Sequence, residues 1–146
     1  NLSFVLLEGD NVNISSSVNL VKIKENQYEA IGIADAAIVC SGTATLETAM
    51  LRCPMIVCYK LSWPTWILAQ MLSKVKYLSL VNLIAEDRVV DEYLQNKMTA
   101  KNLASGVNNL FKNENRDTVV EKYKRLIEKL KTNENPYTSA ARYIYD

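Results

Sequence analysis

At 146 residues, 49% of them apolar and 23% charged, the chain has the size and composition of one compact domain with a single core. Its 17 Lys and Arg nearly cancel its 16 Asp and Glu, and the basic residues are spread out, so no nucleic acid partner is indicated. Histidine is absent, which removes the commonest general base and any Ser-His or Cys-His nucleophile pair from these residues.

Short apolar runs alternate with helix-like segments from Asn19 to Asn82, the pattern of a parallel sheet built from βαβ units. Strands are expected at Asn19–Ile23, Ala36–Cys40, Met55–Tyr59 and Tyr77–Val81, with Phe4–Leu7 as a further edge strand. The near-continuous apolar run Ala36-Ala37-Ile38-Val39-Cys40 suits a strand covered on both faces. Helices are expected over Tyr28–Ala34, Thr43–Arg52 and Ser62–Ser73, the second closed by Pro54 and the third capped by Ser62. Beyond Asn82 the pattern is helical only. Leu103, Val107, Leu110 and Phe111 line one face of Thr99–Phe111, and Val119, Val120, Tyr123, Leu126, Ile127 and Leu130 share a face of the next helix. Thr118-Val119-Val120-Glu121 reads as a capping box, and Lys112–Asn115 as the loop before it. Residues 1–111 are thus expected to form an α/β domain, its first eighteen residues the least defined, and residues 112–146 to add C-terminal helices.

Cys40, Cys53 and Cys58 are odd in number and lack C-x-x-C spacing, so they read as small buried hydrophobes of a reducing cytoplasm, not as a disulfide framework or zinc site. No apolar run is long enough to span a bilayer, and Asn1 to Glu8 lacks the features of a signal peptide.

Ligands of open α/β sheets collect outside the carboxyl ends of the strands. Those ends are Lys24–Asn26, Ser41–Thr43, Lys60–Ser62 and Asn82, and the most informative is Ser41-Gly42-Thr43-Ala44-Thr45-Leu46-Glu47, where a strand runs into a glycine turn and a helix starts at once. Free N–H groups at that helix start favour a diphosphate, with Ser41 and Thr43 adding hydroxyls and Gly42 permitting close approach. Glu47, one turn on, leans back over the site and can accept from ribose hydroxyls. The plainer alternative is a tight strand-to-helix turn followed by a surface glutamate. Neither G-x-x-x-x-G-K nor G-x-G-x-x-G occurs, which excludes a P-loop and argues against a dinucleotide fold.

Three ordered segments carry a resemblance: Ala34 to Glu47, Cys53-Pro54-Met55-Ile56-Val57-Cys58-Tyr59, and Tyr77-Leu78-Ser79-Leu80-Val81-Asn82-Leu83-Ile84-Ala85. Together they resemble the donor half of the lipid-A-disaccharide synthase family. The resemblance implies the C-terminal half of a GT-B glycosyltransferase, a Rossmann-like parallel sheet with helices on both faces, needing neither metal nor cofactor; no Asp-x-Asp clamp occurs in the sequence. It implies an inverting transfer of a diacylglucosamine from a UDP donor to an acylated glucosamine 1-phosphate. Carried over by residue, Ser41, Gly42 and Thr43 hold the diphosphate, Glu47 the ribose, and Asn82 is the polar position of a Ser-x-Pro-Asn motif whose proline is Val81 here. Asn82 is expected to be catalytic, donating to a sugar hydroxyl or diphosphate oxygen, the plainer alternative being an asparagine that closes a turn on its own backbone. A missing N-terminal domain would supply the acceptor pocket and the base. The expected setting is cytoplasmic, peripheral on the inner membrane, with the apolar segment Leu61–Leu72 either meeting acyl chains or a membrane surface, or packed in the core or in a subunit contact. Other GT-B UDP-sugar enzymes, a lipid II-type transferase or a UDP-N-acetylglucosamine epimerase, and a non-catalytic interaction module are the alternatives.

Overall fold

The computed structural model describes residues 2–7, 20–40, 42–65 and 76–131. In chain order the elements are β1 (Phe4–Leu7), β2 (Leu20–Ile23), α1 (Gln27–Ile33), β3 (Ala37–Cys40), α2 (Thr43–Met50), β4 (Met55–Tyr59), α3 (Leu80–Ala85), β5 (Asp91–Leu94), a 3-10 turn (Gln95–Lys97), α4 (Ala100–Leu110) and α5 (Asn113–Leu130). β1 and β2 pair in parallel, and β3, β4 and β5 form a second parallel sheet with β4 in the middle. The architecture is α/β, parallel sheets with helices, ending in a helical segment, as the alternating pattern predicts.

The central strand is buried on both faces, from Met55 to Cys58, which is why it carries no polar side chain along that run. One face packs Met55 and Val57 of β4 with Ala37 and Val39 of β3, Leu46 and Ala49 of α2, Val81 of α3, and Tyr123 and Leu126 of α5. Tyr123 is fully buried, and its hydroxyl approaches the Met55 backbone without a well-formed hydrogen bond. The opposite face is covered by α4, where Gly106 admits the Tyr93 ring: a Cβ at residue 106 would stand 2.6 Å from the Tyr93 hydroxyl.

Three expectations are corrected. Tyr77–Val81 is not a strand; the Ser79 hydroxyl accepts from the Asn82 N–H at 3.3 Å and caps helix α3. A short apolar run such as Leu78 to Val81 fits either state, and the cap decides it. The third strand of this sheet is instead Asp91–Leu94. The capping box at Thr118 does not form either, because α5 already starts at Asn113 and the Thr118 hydroxyl donates to the Glu114 carbonyl inside it, at 2.7 Å. Finally, Cys53 and Cys58 are buried, but Cys40 is exposed, on the same face of β3 as the half-exposed Ile38. The helix expected over Ser62–Ser73 shows a helical turn at residues 63–65; residues 66–75 lie outside the described residues. Among the described residues no helix is long and apolar enough to cross a membrane.

Candidate functional site

The carboxyl ends of β3, β4 and β5 lie side by side because the three strands are parallel and in register, Cys40 opposite Cys58 and Tyr59 opposite Leu94. The loops that leave this edge therefore converge. After β3 the chain passes through Ser41, which lies outside the described residues, to Gly42, the residue that caps α2. Gly42 has φ 141° and ψ −163°, a region open essentially to glycine alone. Among the described residues, its own chain neighbours apart, no atom lies within 4 Å of the place a Cβ would occupy there, so the turn faces open space on that side.

Beyond Gly42 the two faces of α2 separate. Thr45 and Thr48 point into the core and satisfy their hydroxyls on the helix itself, Thr45 donating to the Gly42 carbonyl at 2.8 Å and Thr48 to the Ala44 carbonyl at 2.7 Å. Gly42, Thr43 and Ala44 are exposed, and among the described residues the N–H groups of Thr43 and Ala44 have no backbone acceptor. Two free donors at a helix start, with the helix dipole behind them, form an anion cradle. Glu47 is half-buried, one turn further along the same helix, and among the described residues no ion pair is made to its carboxylate.

Asn82 sits elsewhere. It belongs to α3, not to the end of a strand, and is fully buried. Its Oδ1 accepts from the N–H groups of Val89 and Val90 at 2.8 and 2.9 Å, and its Nδ2 donates to the Val90 carbonyl and to Glu92 Oε1, both at 2.9 Å. All of its hydrogen-bonding capacity is thus turned inward, closing the segment between α3 and β5.

Two further residues shape the crevice and were missed by pattern reading. Glu92, on β5, accepts from the N–H groups of Leu78 and Ser79, at 3.1 and 2.9 Å, and from the Ser79 hydroxyl at 2.8 Å, which ties the start of α3 to the sheet. Gln95, with a left-handed φ of 49°, pairs its amide with the backbone of Leu61 like one more strand residue, accepting at 3.1 Å and donating at 3.2 Å. That pairing fastens the loop after β4 to the end of β5. Trp63, Glu92, Leu94, Gln95, Asn96 and Lys97 line a cleft of about 300 Å³ beside it. Of the remaining strand ends, Lys24–Asn26 follows β2, where Asn26 adopts a left-handed φ of 56° and leads into α1; the Gln27 amide reaches back to the Lys24 carbonyl at 3.3 Å.

Comparison with known proteins identifies the family. The family model for lipid-A-disaccharide synthetase matches residues 6–144. Lipid-A-disaccharide synthase of Blochmanniella pennsylvanica is 35% identical over 113 residues, 76% of this chain and 29% of that protein. The enzyme of that name from Myxococcus xanthus is 38% identical over 96 residues, 66% of this chain and 25% of that protein. In Anaeromyxobacter sp. strain K the identity reaches 43% over 83 residues, 57% of this chain and 22% of that protein. The matched residues thus span 22–29% of the length of these relatives. With the glycine turn, the parallel strands behind it and the match over nearly all its residues taken together, the chain belongs to the lipid-A-disaccharide synthase family.

Proposed function

We propose that this chain is the donor-binding part of an inverting glycosyltransferase that forms the lipid A disaccharide, transferring a diacylglucosamine from its UDP donor to an acylated glucosamine 1-phosphate and releasing UDP. The observation that carries the proposal is the turn at Gly42: free amides at a helix start, open space beside them, and a half-buried glutamate one turn along. Ser41, Gly42 and Thr43 hold the diphosphate. Glu47 accepts from the ribose hydroxyls, a role that suits a carboxylate, whereas direct contact with a phosphate would be repulsive.

In the transfer step the acceptor hydroxyl attacks the anomeric carbon, the bond to the diphosphate oxygen breaks, and negative charge grows on the leaving UDP. Amides fixed at the helix start stabilise that charge more as it develops, which lowers the barrier. The base that takes the proton from the attacking hydroxyl is expected outside these residues, since the chain has no histidine, and an N-terminal domain is its expected source. Residues 1–111 form the nucleotide-sugar unit in this reading, with α5 packed on its core. Asn82 is a positioning residue: it holds β5, and with it the Gln95 end of the crevice, through Val89, Val90 and Glu92. Acylated substrates would bring the enzyme to the cytoplasmic face of the inner membrane as a peripheral protein.

Calorimetric titration of the chain tests the donor reading. UDP and UDP-N-acetylglucosamine are expected to saturate one site, more tightly than ADP or GDP and equally with magnesium or a chelator. No saturable binding of UDP would favour an interaction module, and equal binding of the three nucleoside diphosphates would remove the case for a UDP-specific site.

A further inference from the structure

We propose that Cys40 and Cys58 form a reversible disulfide across the β3–β4 ladder, and that closing it weakens the diphosphate turn that follows β3. The two cysteines are register partners in a parallel pair, so their side chains leave the sheet on the same face. Strands in a sheet lie about 4.8 Å apart, which puts the two Cα atoms inside the window of about 4.4–6.8 Å that a disulfide accepts. Cys40 is exposed and open to an oxidant, while Cys58, only 5% exposed, stands beside it as the resolving thiol. Burial, and then the adjacent Cys40 thiol, push the Cys58 thiol up to about 11, so the exposed Cys40 is the thiol that a solute meets first. Cys53 has no such partner; it is 2% exposed, with its thiol against the carbonyls of Ala34 and Pro54.

The oxidant is a hydroperoxide. With hydrogen peroxide, Cys40 sulfur attacks one peroxide oxygen, the O–O bond breaks, and the departing hydroxide takes up the Cys40 thiol proton, leaving Cys40 sulfenic acid and one water. Cys58 sulfur then attacks the Cys40 sulfur, the S–O bond breaks, and the Cys58 proton leaves with the hydroxyl as a second water. Two thiols have given two electrons to one peroxide. A dithiol reductant reverses the bond by exchange.

A relaxed disulfide has its Cβ atoms at about 3.8 Å and its Cα atoms at about 5.5–6 Å, so forming one between ladder neighbours about 4.8 Å apart tilts the two side chains toward each other, twists the carboxyl ends of β3 and β4 and leaves the bond strained and easily reduced. Gly42 stands two residues beyond Cys40, in a backbone conformation with little room for adjustment, so the twist is passed to the turn. This effect on binding rests on the proposed role of that turn; formation of the bond does not.

The test treats the chain with a few equivalents of hydrogen peroxide, counts free thiols, maps the linked peptides by mass spectrometry, and titrates UDP before oxidation, after it, and after dithiothreitol. The expected result is loss of two thiols with Cys40 joined to Cys58, full reversal by dithiothreitol, and UDP affinity lower by about tenfold in the oxidised form. Cys40→Ser and Cys58→Ser should form no link and keep their affinity after peroxide. Oxidation of Cys40 to sulfinic acid with Cys58 left free would overturn the proposal, as would a linked form that binds UDP as tightly as the reduced one. If the reduced chain does not bind UDP at all, the donor reading fails instead, and the thiol count and peptide map still decide the disulfide.

Discussion

Replacing Asn82 with alanine removes four hydrogen bonds at once from a fully buried position. The Val90 N–H loses its Asn82 acceptor in a residue only 2% exposed, so water cannot readily take its place, and the Val90 carbonyl loses the Asn82 donor, while the Val89 N–H keeps the Asp87 carbonyl at 3.0 Å. Each buried group left without a partner costs about 1–3 kcal/mol, and partial relaxation brings the total to about 3–5 kcal/mol. Domains of this size are stable by about 5–15 kcal/mol, so Asn82→Ala should shift the urea midpoint of the far-ultraviolet circular dichroism signal far to the left. Asn82→Asp keeps the oxygen that accepts from Val89 and Val90 but turns a second carboxylate oxygen toward Glu92. It should therefore be destabilised at neutral pH and recover as the pH falls into the carboxylate range. Because Asn82 is proposed to position the crevice as well, the folded Asn82→Ala protein should also bind UDP several-fold more weakly. A midpoint within about 0.5 kcal/mol of the parent would refute the hydrogen-bond argument, and unchanged UDP affinity of the folded variant would confine Asn82 to folding.

Further outcomes follow from single positions. Gly42→Ala should lose about 1–3 kcal/mol in the same urea experiment and bind UDP more weakly, because alanine resists φ 141°, even though the space beside it is open. Tyr123→Phe should be as stable as the parent or slightly more so, since the buried hydroxyl lacks a well-formed partner, whereas Tyr123→Ala should cost about 3–5 kcal/mol. Burial raises the thiols of Cys53 and Cys58 to about 11, above the range of a thiol in the unfolded chain, so the folded state holds those protons more tightly. Stability should then be full below about pH 8.5 and fall as the pH rises toward 11; a flat alkaline profile would contradict the burial of these thiols.

The parts legible in the sequence are those where pattern and turn chemistry agree. Apolar runs bounded by turns mark β2, β3 and β4 to within one residue, and the Ser-Gly-Thr turn announces α2. The helix expected over Thr99–Phe111 is α4, with Thr99 as its N-cap, the hydroxyl accepting from the Asn102 N–H at 3.2 Å. What stayed hidden is set by contacts distant in sequence. β5 begins Asp-Glu, residues that strands disfavour, and is stable as a strand because the Glu92 carboxylate finds donors on Leu78, Ser79 and Asn82. For the same reason neither Glu92 nor Gln95 drew notice as part of the crevice, since only the folded sheet brings Gln95 against Leu61. Asn82 faces a ligand only if Tyr77–Val81 is a strand that ends at it; as part of helix α3 its side chain is buried instead.

The most direct test of the donor site is UDP calorimetry on Thr43→Pro and Glu47→Ala beside the parent chain. Proline is well accepted at the first helical position, so Thr43→Pro should leave α2 intact while deleting one amide of the cradle, and Glu47 makes no ion pair among the described residues whose loss would unfold the helix. Both variants should retain the circular dichroism spectrum of the parent and bind UDP about ten- to a hundredfold more weakly, with Glu47→Ala also losing its preference for a ribose over a deoxyribose nucleotide. Parental affinity in both folded variants would contradict the assignment of this turn as the diphosphate and ribose site.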